Sequence, residues 1–125
     1  MKITTTTGNS NRPLLAALYS AVDAFDAEAV GALLTRDVGF QLGNFGEISG
    51  KQAVIDANRA FFETIAAMRH TITGIWSEDR TVICAGTVHY TRKDGTELEV
   101  PFATVLELSS GQIRDYRVFV DISAL

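Results

Sequence analysis

The sequence predicts an α+β fold in which three helices pack on a strongly curved, mixed but mainly antiparallel sheet. Apolar residues recur at helical spacing in the first half of the chain, whereas β-branched and aromatic residues predominate from His70 onward. Turn signals at Glu78-Asp79-Arg80, Asp94-Gly95 and Ser110-Gly111 divide the second half into four strands. The order helix, helix, strand, helix and four strands therefore belongs to one unit.

The composition is that of a single globular domain and argues against several classes of partner. The 125 residues are enough to bury a core, and 46% are hydrophobic while 21% are charged. The net charge is −4 and the 11 basic residues are scattered rather than clustered, which argues against nucleic acid and against a membrane surface. No apolar run follows Lys2, so we expect neither a signal peptide nor a transmembrane segment, and a cytoplasmic location.

The helical part of the chain begins after a segment without periodicity. Residues 1–12 are rich in Thr and Asn, so we expect a flexible tail there and one domain over residues 13–125. Pro13 suits the first position of a helix, and Asp26 suits the N-cap of a second, short helix. The apolar residues that these two helices are expected to bury are Leu14, Leu15, Leu18, Val22, Phe25, Val30, Leu33 and Leu34.

A short strand and a third helix follow. Residues 38–42 alternate between apolar and polar side chains, which predicts a half-buried strand. Residues 51–68 carry apolar side chains at helical spacing and predict the longest helix of the chain. Its apolar positions are Val54, Ile55, Phe61, Phe62, Ile65 and Met68.

The turn at Asp94-Gly95 predicts the register of the sheet. Asp-Gly is typical of a two-residue hairpin loop, which would place Lys93 opposite Thr96. Treating Ser110-Gly111 as a second two-residue turn extends the pairing to the last strand. The predicted pairs are Thr91 with Leu98, His89 with Val100, Thr87 with Phe102, Leu108 with Ile113, Thr104 with Arg117, Phe102 with Phe119, and Val100 with Asp121.

In this register the face that meets the helices mixes apolar and polar side chains. Buried polar groups are costly unless they are partnered or hydrated, so the mixture predicts a cavity rather than a dry core. The apolar members are Leu98, Val100, Phe102, Leu106 and Leu108, and the polar ones are Thr87, His89, Thr104, Arg117 and Asp121.

A second register stays open for the last strand. A slip of one residue or a β-bulge would turn Tyr116, Val118 and Val120 towards the helices. Arg117 and Asp121 would then lie in solvent.

The opposite face of the sheet is also apolar in the predicted register. A contiguous apolar face of this size usually marks an interface, and a symmetric homodimer is the simplest way to cover it. We expect Tyr90, Val105, Tyr116 and Val118 to lose solvent contact on association. The full set is Val82, Cys84, Val88, Tyr90, Pro101, Ala103, Val105, Tyr116, Val118 and Val120.

Four stretches carry a family resemblance: Asp26-Ala27-Glu28-Ala29-Val30 leading to Leu33-Leu34, Ile48-Ser49-Gly50, Asp94-Gly95 before Pro101-Phe102, and Gly111-Gln112-Ile113-Arg114-Asp115-Tyr116 running to Asp121. The chain from Leu14 to Leu125 resembles the SnoaL-like branch of the nuclear transport factor 2-like superfamily. The resemblance implies a cone-shaped barrel and a single SnoaL-like domain over residues 13–125. The superfamily includes ketosteroid isomerase, limonene epoxide hydrolase and scytalone dehydratase, so it indicates fold better than function.

The resemblance argues against two of these activities. Leu18 stands where the isomerases have an oxyanion-binding tyrosine, with Tyr19 one residue away, and Gln41 stands where they have a catalytic aspartate. An amide cannot act as a proton-abstracting base, so steroid isomerase chemistry is not expected. Arg92 and Asp94 are similar to part of the epoxide hydrolase site, but Asp94 is needed in the hairpin turn.

Asp121 and His89 are the candidate catalytic residues. Asp121 aligns with the last-strand aspartate that similar polyketide cyclases use as a general acid and base, and burial in an apolar cavity would raise its pKa. His89 lies in the same predicted cross-strand row, with a backbone about 10 Å away at the usual strand spacing. The two groups could face one another across a ligand, or each could be a hydrogen-bonded structural residue.

The remaining site residues are expected to line the cavity. Arg117 could bind a carboxylate or carbonyl of a ligand, or it could pair with Asp115. No cluster has metal-ligand spacing and no glycine-rich loop precedes a helix, so we expect no metal and no cofactor, and Cys84 is expected to be a small hydrophobe. The candidate ligand-binding residues are Tyr19, Phe40, Trp76, Thr87, Phe102, Thr104, Arg117 and Phe119.

Two functions follow from these expectations. The first is a SnoaL-like enzyme that performs cofactor-free general acid/base chemistry, such as isomerisation, cyclisation, dehydration or hydrolysis, on a small hydrophobic carbonyl compound. The second is a non-catalytic module that binds a small ligand or mediates dimerisation.

Overall fold

The computed structural model describes residues 1–5 and 11–125. Over these residues the helices are α1 (Arg12–Asp23), α2 (Ala27–Gly31) and α3 (Lys51–Phe62). The strands are β1 (Lys2–Ile3), β2 (Leu34–Leu42), β3 (Ile48–Ser49), β4 (Ala67–Glu78), β5 (Thr81–Thr91), β6 (Glu97–Ser109) and β7 (Gln112–Val120). The predicted α+β class with three helices is confirmed.

The described strands form one sheet in the order β1-β4-β5-β6-β7-β2-β3. The pairs β1–β4 and β2–β7 are parallel, and the other neighbours are antiparallel. The predicted mixed, mainly antiparallel sheet is therefore confirmed. The flexibility predicted for residues 1–12 stays a prediction: Lys2 and Ile3 pair with β4, and residues 6–10 lie outside the described part of the chain.

Strand β4 bends where one of its residues has no partner. Its pairing with β5 shifts between Ile72 and Gly74, which marks a β-bulge. Gly86 lies opposite Ile72, and a Cβ atom at Gly86 would collide with the carbonyl oxygen of Thr71. Bulges bend a strand and increase its twist, so this position contributes to the curvature of the sheet.

The helices α2 and α3 are shorter than the sequence predicts. The Asp26 carboxylate caps α2 as expected by accepting a hydrogen bond from the Ala29 N–H at 3.0 Å. Helix α3 ends at Phe62 because the N–H and hydroxyl of Thr64 both donate to the Phe61 carbonyl, at 3.0 and 2.6 Å. Met68, predicted on this helix, lies on β4 with its side chain buried.

The loop between β5 and β6 is one residue longer than predicted. The prediction that Lys93 lies opposite Thr96 is wrong, because the Arg92 N–H donates to the Thr96 carbonyl at 2.7 Å and Lys93 lies within the loop. Gly95 has φ +89°, and its N–H donates to the Arg92 carbonyl. This is a three-residue loop with a left-handed glycine rather than the two-residue type.

The additional residue in this loop turns the side chains of β5 to the faces of the sheet opposite to those predicted. Successive side chains of a strand point to opposite faces, so a register shift of one residue exchanges the two sets. Val88 and Tyr90 face the helices and are 1% and 2% exposed, whereas Thr87 and His89 lie on the outer face. The predicted inward orientation of Thr87 and His89 is therefore wrong.

The last strand contains a β-bulge, which is one of the alternatives that the sequence allowed for its register. Leu108 pairs with Ile113, so the two-residue turn at Ser110-Gly111 is confirmed. The next pair joins Glu107 to Asp115, which leaves one extra residue on β7 and reverses the faces beyond it.

Beyond the bulge Tyr116, Val118 and Val120 face the helices, and Tyr116 is 3% exposed. The preferred register of the last strand, with Arg117 and Asp121 inward, is wrong. The inward face predicted for β6 is confirmed by Phe102, Thr104 and Leu106, which are all buried.

Candidate functional site

Two adjoining cavities lie between the helices and the sheet. The inner cavity has a volume of about 30 Å³ and the outer cavity a volume of about 300 Å³. Phe40, Leu42 and Phe61 line both cavities, so these side chains form the boundary between them. The inner volume is sufficient for a water molecule or one small polar group, and the outer volume is at the low end of small-molecule pockets.

The outer cavity is apolar and the inner cavity is not. Besides the shared side chains, the outer cavity is lined by Phe45, Gly46, Ile48 and Ala57, none of which carries a charge. The polar side chains that line the inner cavity are Tyr19, Asn58, His70, Tyr90 and Tyr116. The site therefore has a polar end inside the cone and an apolar end near its opening.

Helix α1 and strand β4 bring Asp23 and His70 together. Tyr19 and Asp23 are four residues apart, so both project from the same face of α1. His70 lies between Met68 and Ile72 in the alternation of β4, and all three are buried. The Tyr19 and Phe102 rings contact the imidazole of His70, with centroids 4.4 and 4.9 Å away, and fix its orientation.

The Asp23 carboxylate accepts two hydrogen bonds from His70. One oxygen lies 2.6 Å from His70 Nδ1 and the other lies 2.8 Å from the His70 backbone nitrogen. The α-ammonium group of Met1 is 3.3 Å from the same carboxylate. Asp23 is the last residue of α1, where the helix dipole disfavours a negative charge, and its side chain is only 8% exposed. These donors offset the cost of burying a charge there.

The second ring nitrogen of His70 opens onto the inner cavity. A carboxylate only accepts, so in a neutral imidazole the bond to Asp23 places the proton on Nδ1 and leaves a lone pair on Nε2. Within the described part of the chain, Nε2 has no hydrogen-bond partner, and every fully inaccessible side-chain nitrogen or oxygen has one. Nε2 is therefore accessible from the cavity and can accept a proton from a bound molecule.

Tyr90 provides a hydrogen-bond donor in the lining of the same cavity. Burial, with a smaller contribution from the nearby Asp23 carboxylate, raises the pKa of Tyr90 to about 12. Its side chain lines the inner cavity, and its hydroxyl bonds to no other described group. Tyr90 is consequently a protonated donor at neutral pH.

A buried polar cluster supports the inner cavity from behind. The Tyr19 hydroxyl hydrogen-bonds the Thr104 hydroxyl, and both residues are inaccessible to solvent. Burial, and next the neighbouring Tyr116, raise the pKa of Tyr19 well above its ordinary value. Burial also raises the pKa of the Cys84 thiol to about 12, so Cys84 is an unreactive core residue.

Asn58 is a polar residue on the core-facing side of α3. It is 7% exposed, although its neighbours on this side, Val54, Ile55 and Phe62, are apolar. Its amide nitrogen donates to the Val54 carbonyl at 2.9 Å. A carbonyl oxygen only accepts, so the amide nitrogen faces Val54 and Oδ1 faces away from it.

Four of the predicted ligand-binding residues face the interior. Tyr19 and Phe40 line the inner cavity. Phe102 packs against Tyr19 and His70, and Thr104 bonds to Tyr19.

The other predicted site residues lie outside the cavity. His89 is on the outer face of the sheet, with Nε2 2.9 Å from a Glu97 carboxylate oxygen. Arg117 pairs with Asp115 at 3.0 Å, which is one of the two alternatives that the sequence left open. Those on the outer face are Trp76, Thr87, His89, Arg117 and Phe119, and Trp76 and Phe119 are 58% and 57% exposed.

Asp121 lies just beyond the end of β7 and is exposed. Its carboxylate accepts a hydrogen bond from the Ser123 N–H at 3.0 Å. This interaction lowers the pKa of Asp121, so the raised pKa expected from burial is wrong.

His70, Asp23 and Asn58 were not predicted from the sequence as site residues. A signal was present for His70, because Met68, His70 and Ile72 alternate as on the buried face of a strand. Asp23 lies four residues after Tyr19 on the apolar side of the first helix. No local pattern, however, indicated that Asp23 and His70 contact one another.

The described residues offer neither a metal site nor a membrane-spanning helix. No group of three or more His, Cys, Asp or Glu side chains there could hold a metal ion. No helix in the described part of the chain is long and apolar enough to span a membrane.

The chain belongs to the SnoaL-like domain family, whose family model matches residues 15–116. This fold places a cavity between its helices and its curved sheet, where the residues described above meet. No curated protein matches the sequence significantly.

Solved structures with this fold are similar over most of the chain. An NTF2-like protein of unknown function from Burkholderia pseudomallei K96243 has 21% identity and a TM-score of 0.81, covering 91% of this chain and 92% of its own. A protein with a ketosteroid isomerase-like fold from Catenulispora acidiphila DSM 44928, in complex with trimethylamine, has 19% identity and a TM-score of 0.81. The match covers 96% of this chain and 89% of that protein. TerC, co-crystallised with polyporic acid, has 18% identity and a TM-score of 0.80. The match covers 93% of this chain and 95% of TerC. At these identities the likeness shows the fold alone.

Proposed function

We propose that this protein is a SnoaL-like enzyme that performs cofactor-free general acid/base chemistry on a small, apolar carbonyl compound. The observation that carries the proposal is the pairing of His70 with Asp23 at 2.6 Å, with Nε2 of His70 open to the inner cavity. A buried histidine oriented by a carboxylate is a common general base.

The chemistry follows from the two groups at the polar end. A carbonyl oxygen in the inner cavity accepts a hydrogen bond from the Tyr90 hydroxyl, which stabilises the negative charge that develops on that oxygen. His70 Nε2 takes a proton from the adjacent carbon, and Asp23 stabilises the resulting imidazolium. Returning the proton to another atom of the enolate completes an isomerisation, and the same base can start a cyclisation or a dehydration.

The choice of an apolar compound rests on the outer cavity. Its lining is uncharged, and about 300 Å³ accommodates one or two rings. We give Asp121 and His89 no catalytic role, because both lie outside the cavity.

Hydrogen–deuterium exchange at the carbon atoms next to the carbonyl of a simple ketone tests the proposal. 2-Tetralone is a neutral two-ring ketone whose protons next to the carbonyl exchange with deuterium from heavy water, and proton NMR follows that exchange. The wild-type protein should accelerate the exchange, and His70→Gln should lower the acceleration by about 10²-fold or more. Tyr90→Phe should lower it as well, because the oxygen loses its donor.

His89→Gln and Asp121→Asn are the matched controls. Both change the same residue types outside the cavity and should leave the exchange rate unchanged. Saturable binding of 2-tetralone without any gain in exchange would favour the alternative function, a non-catalytic ligand-binding module.

We also propose that the protein forms a homodimer through the outer face of the sheet. The corrected register removes Tyr90, Tyr116 and Val118 from that face, since they point inward. It leaves an apolar band made of the row Trp76, Ile83 and Val105, which ends at Arg117 on β7, and the row Ala85, Ala103 and Phe119. Two exposed aromatic rings in such a band favour association of two copies. The cytoplasmic location stays a prediction from the sequence.

A further inference from the structure

We infer that Asn58 recognises a hydroxyl group on the ligand, so that the site selects an apolar ring compound carrying a phenol or enol at its inner end. The inference rests on the proposed function only in taking this cavity as the ligand site.

The amide of Asn58 has one satisfied end and one free end. The amide nitrogen donates to the Val54 carbonyl at 2.9 Å, which sets the orientation of the amide. Among residues 1–5 and 11–125, Oδ1 has no hydrogen-bond partner. Because no fully inaccessible side-chain oxygen in this part of the chain lacks a partner, Oδ1 retains access to the inner cavity that Asn58 lines.

Packing alone does not account for an asparagine here. The residue is more than nine-tenths buried, and an apolar side chain of similar size would avoid the desolvation of an amide oxygen. The hydrogen bond to Val54 satisfies only the nitrogen. A ligand that donates a hydrogen bond to Oδ1 would give that oxygen the partner that it lacks within the described residues.

The size of the inner cavity limits what that donor can be. A volume of about 30 Å³ holds one small group, and Asn58, His70 and Tyr90 all line that cavity. A hydroxyl oxygen can accept from the Tyr90 hydroxyl while its proton is donated to Asn58 Oδ1. A ketone oxygen can only accept, and it leaves Oδ1 without a partner. Asn58 therefore favours the hydroxyl or enol form over the ketone.

The remainder of the ligand must be uncharged. The outer cavity offers no charged side chain in its lining, so a carboxylate or sulfonate placed there would lose its hydration without gaining a partner. The inferred ligand class is therefore a neutral one- or two-ring compound with a hydroxyl or enol group.

Binding of three related compounds tests this inference: naphthalene, 2-naphthol and 2-naphthalenesulfonate, measured by their fluorescence with the full chain. Wild-type protein should bind 2-naphthol more tightly than naphthalene and should bind the sulfonate most weakly. Asn58→Leu should weaken binding of 2-naphthol by about tenfold or more while leaving binding of naphthalene within a few-fold. In wild type, 2-naphthol but not naphthalene should shift the NMR signals of the Asn58 side-chain amide.

A second variant and a control keep the result interpretable. Asn58→Ser should reduce the preference for 2-naphthol only in part, and Gln52→Leu, on the exposed side of α3, should leave all three affinities unchanged. An unchanged affinity of Asn58→Leu for 2-naphthol would overturn the inference, as would the absence of binding of 2-naphthol at about millimolar concentration. These outcomes are independent of the 2-tetralone exchange, which can fail while Asn58 still selects the hydroxyl, or succeed while it does not.

Discussion

Asp23 and His70 lie 47 residues apart in the chain, yet the carboxylate of one accepts both the backbone N–H and the ring Nδ1–H of the other, at 2.8 and 2.6 Å. The backbone bond ties the end of α1 to β4, and the ring bond selects the tautomer of the imidazole. One residue thus both anchors the helix to the sheet and sets the chemistry of the nitrogen that faces the cavity.

Asp23→Asn should separate these two contributions. If the oxygen of the new asparagine accepts from the His70 backbone N–H, its NH₂ group points towards Nδ1. Nδ1 must then accept a hydrogen bond, so the imidazole proton moves to Nε2, and Nε2 can no longer act as the base. We expect a loss of about 1–3 kcal/mol in the free energy of unfolding and a fall of about 10²-fold in exchange of 2-tetralone. Nitrogen NMR of His70 reports the tautomer directly.

Asp26→Asn is the control for that variant. Asparagine caps a helix as well as aspartate does, so stability and exchange should stay as in wild type. Retention of the wild-type tautomer and rate in Asp23→Asn would show that the carboxylate does not set the chemistry of His70.

The tyrosines should titrate abnormally at high pH. Burial raises the pKa of Tyr90 to about 12 and also raises the pKa of Tyr19 and Tyr116, against 10.0 for a free phenol. A pKa raised by folding means that the neutral phenol is favoured in the folded state, so this contribution to stability is complete below pH 10 and is lost as pH rises towards the folded values.

Ultraviolet absorbance of the phenolate form tests this expectation. Folded protein should show little phenolate at about pH 10, whereas protein in concentrated urea should be half titrated there. Half-titration of the folded protein at that pH, with an unchanged circular dichroism spectrum, would contradict the described burial.

Asp94 should contribute stability that disappears in acid. The side-chain and backbone hydrogen bonds from Thr96 lower its pKa below 3.8, so the carboxylate is favoured in the folded state. The contribution is present above the unfolded pKa and is lost as pH falls through the lower folded pKa. Asp94→Asn should therefore be less stable than wild type at neutral pH and no less stable well below that pKa, as urea unfolding would measure.

Asp79→Asn serves as the comparison for Asp94. It is another exposed turn aspartate, and its carboxylate has no hydrogen bond within the described residues. A similar pH-dependent loss in Asp79→Asn would mean that the effect is general to surface carboxylates rather than specific to the Thr96 interaction.

Val105→Lys should prevent association if the outer face is a dimer interface. Val105 lies in the row with Trp76 and Ile83, so a lysine there places a charge in the centre of the apolar band. We expect wild type to sediment as a dimer and Val105→Lys as a folded monomer. Ser20→Lys adds the same charge on the exposed side of α1 and should leave the dimer intact. Wild-type protein that is monomeric at about micromolar concentration would refute the proposed interface.

The sequence by itself determined the class of the fold, the order of the three helices and the five longer strands, the cap at Asp26 and the apolar face of β6, but not the two-residue strands β1 and β3. These features depend on neighbouring residues, whose periodicity and turn chemistry are local. The resemblance to the SnoaL-like family could also be recognised from the sequence, since short stretches along the whole chain carried it.

Only the tertiary structure decided which side chains meet inside the cone. One extra residue in the loop at Asp94 reverses the faces of β5, and one in β7 reverses the faces of the strand beyond it, because side chains alternate with a period of two. Those two residues moved His89 and Asp121 out of the cavity and Tyr90 into it. The partnership of Asp23 with His70 also required the folded chain, because it joins the end of a helix to a strand far along the sequence, and no local pattern records such a contact.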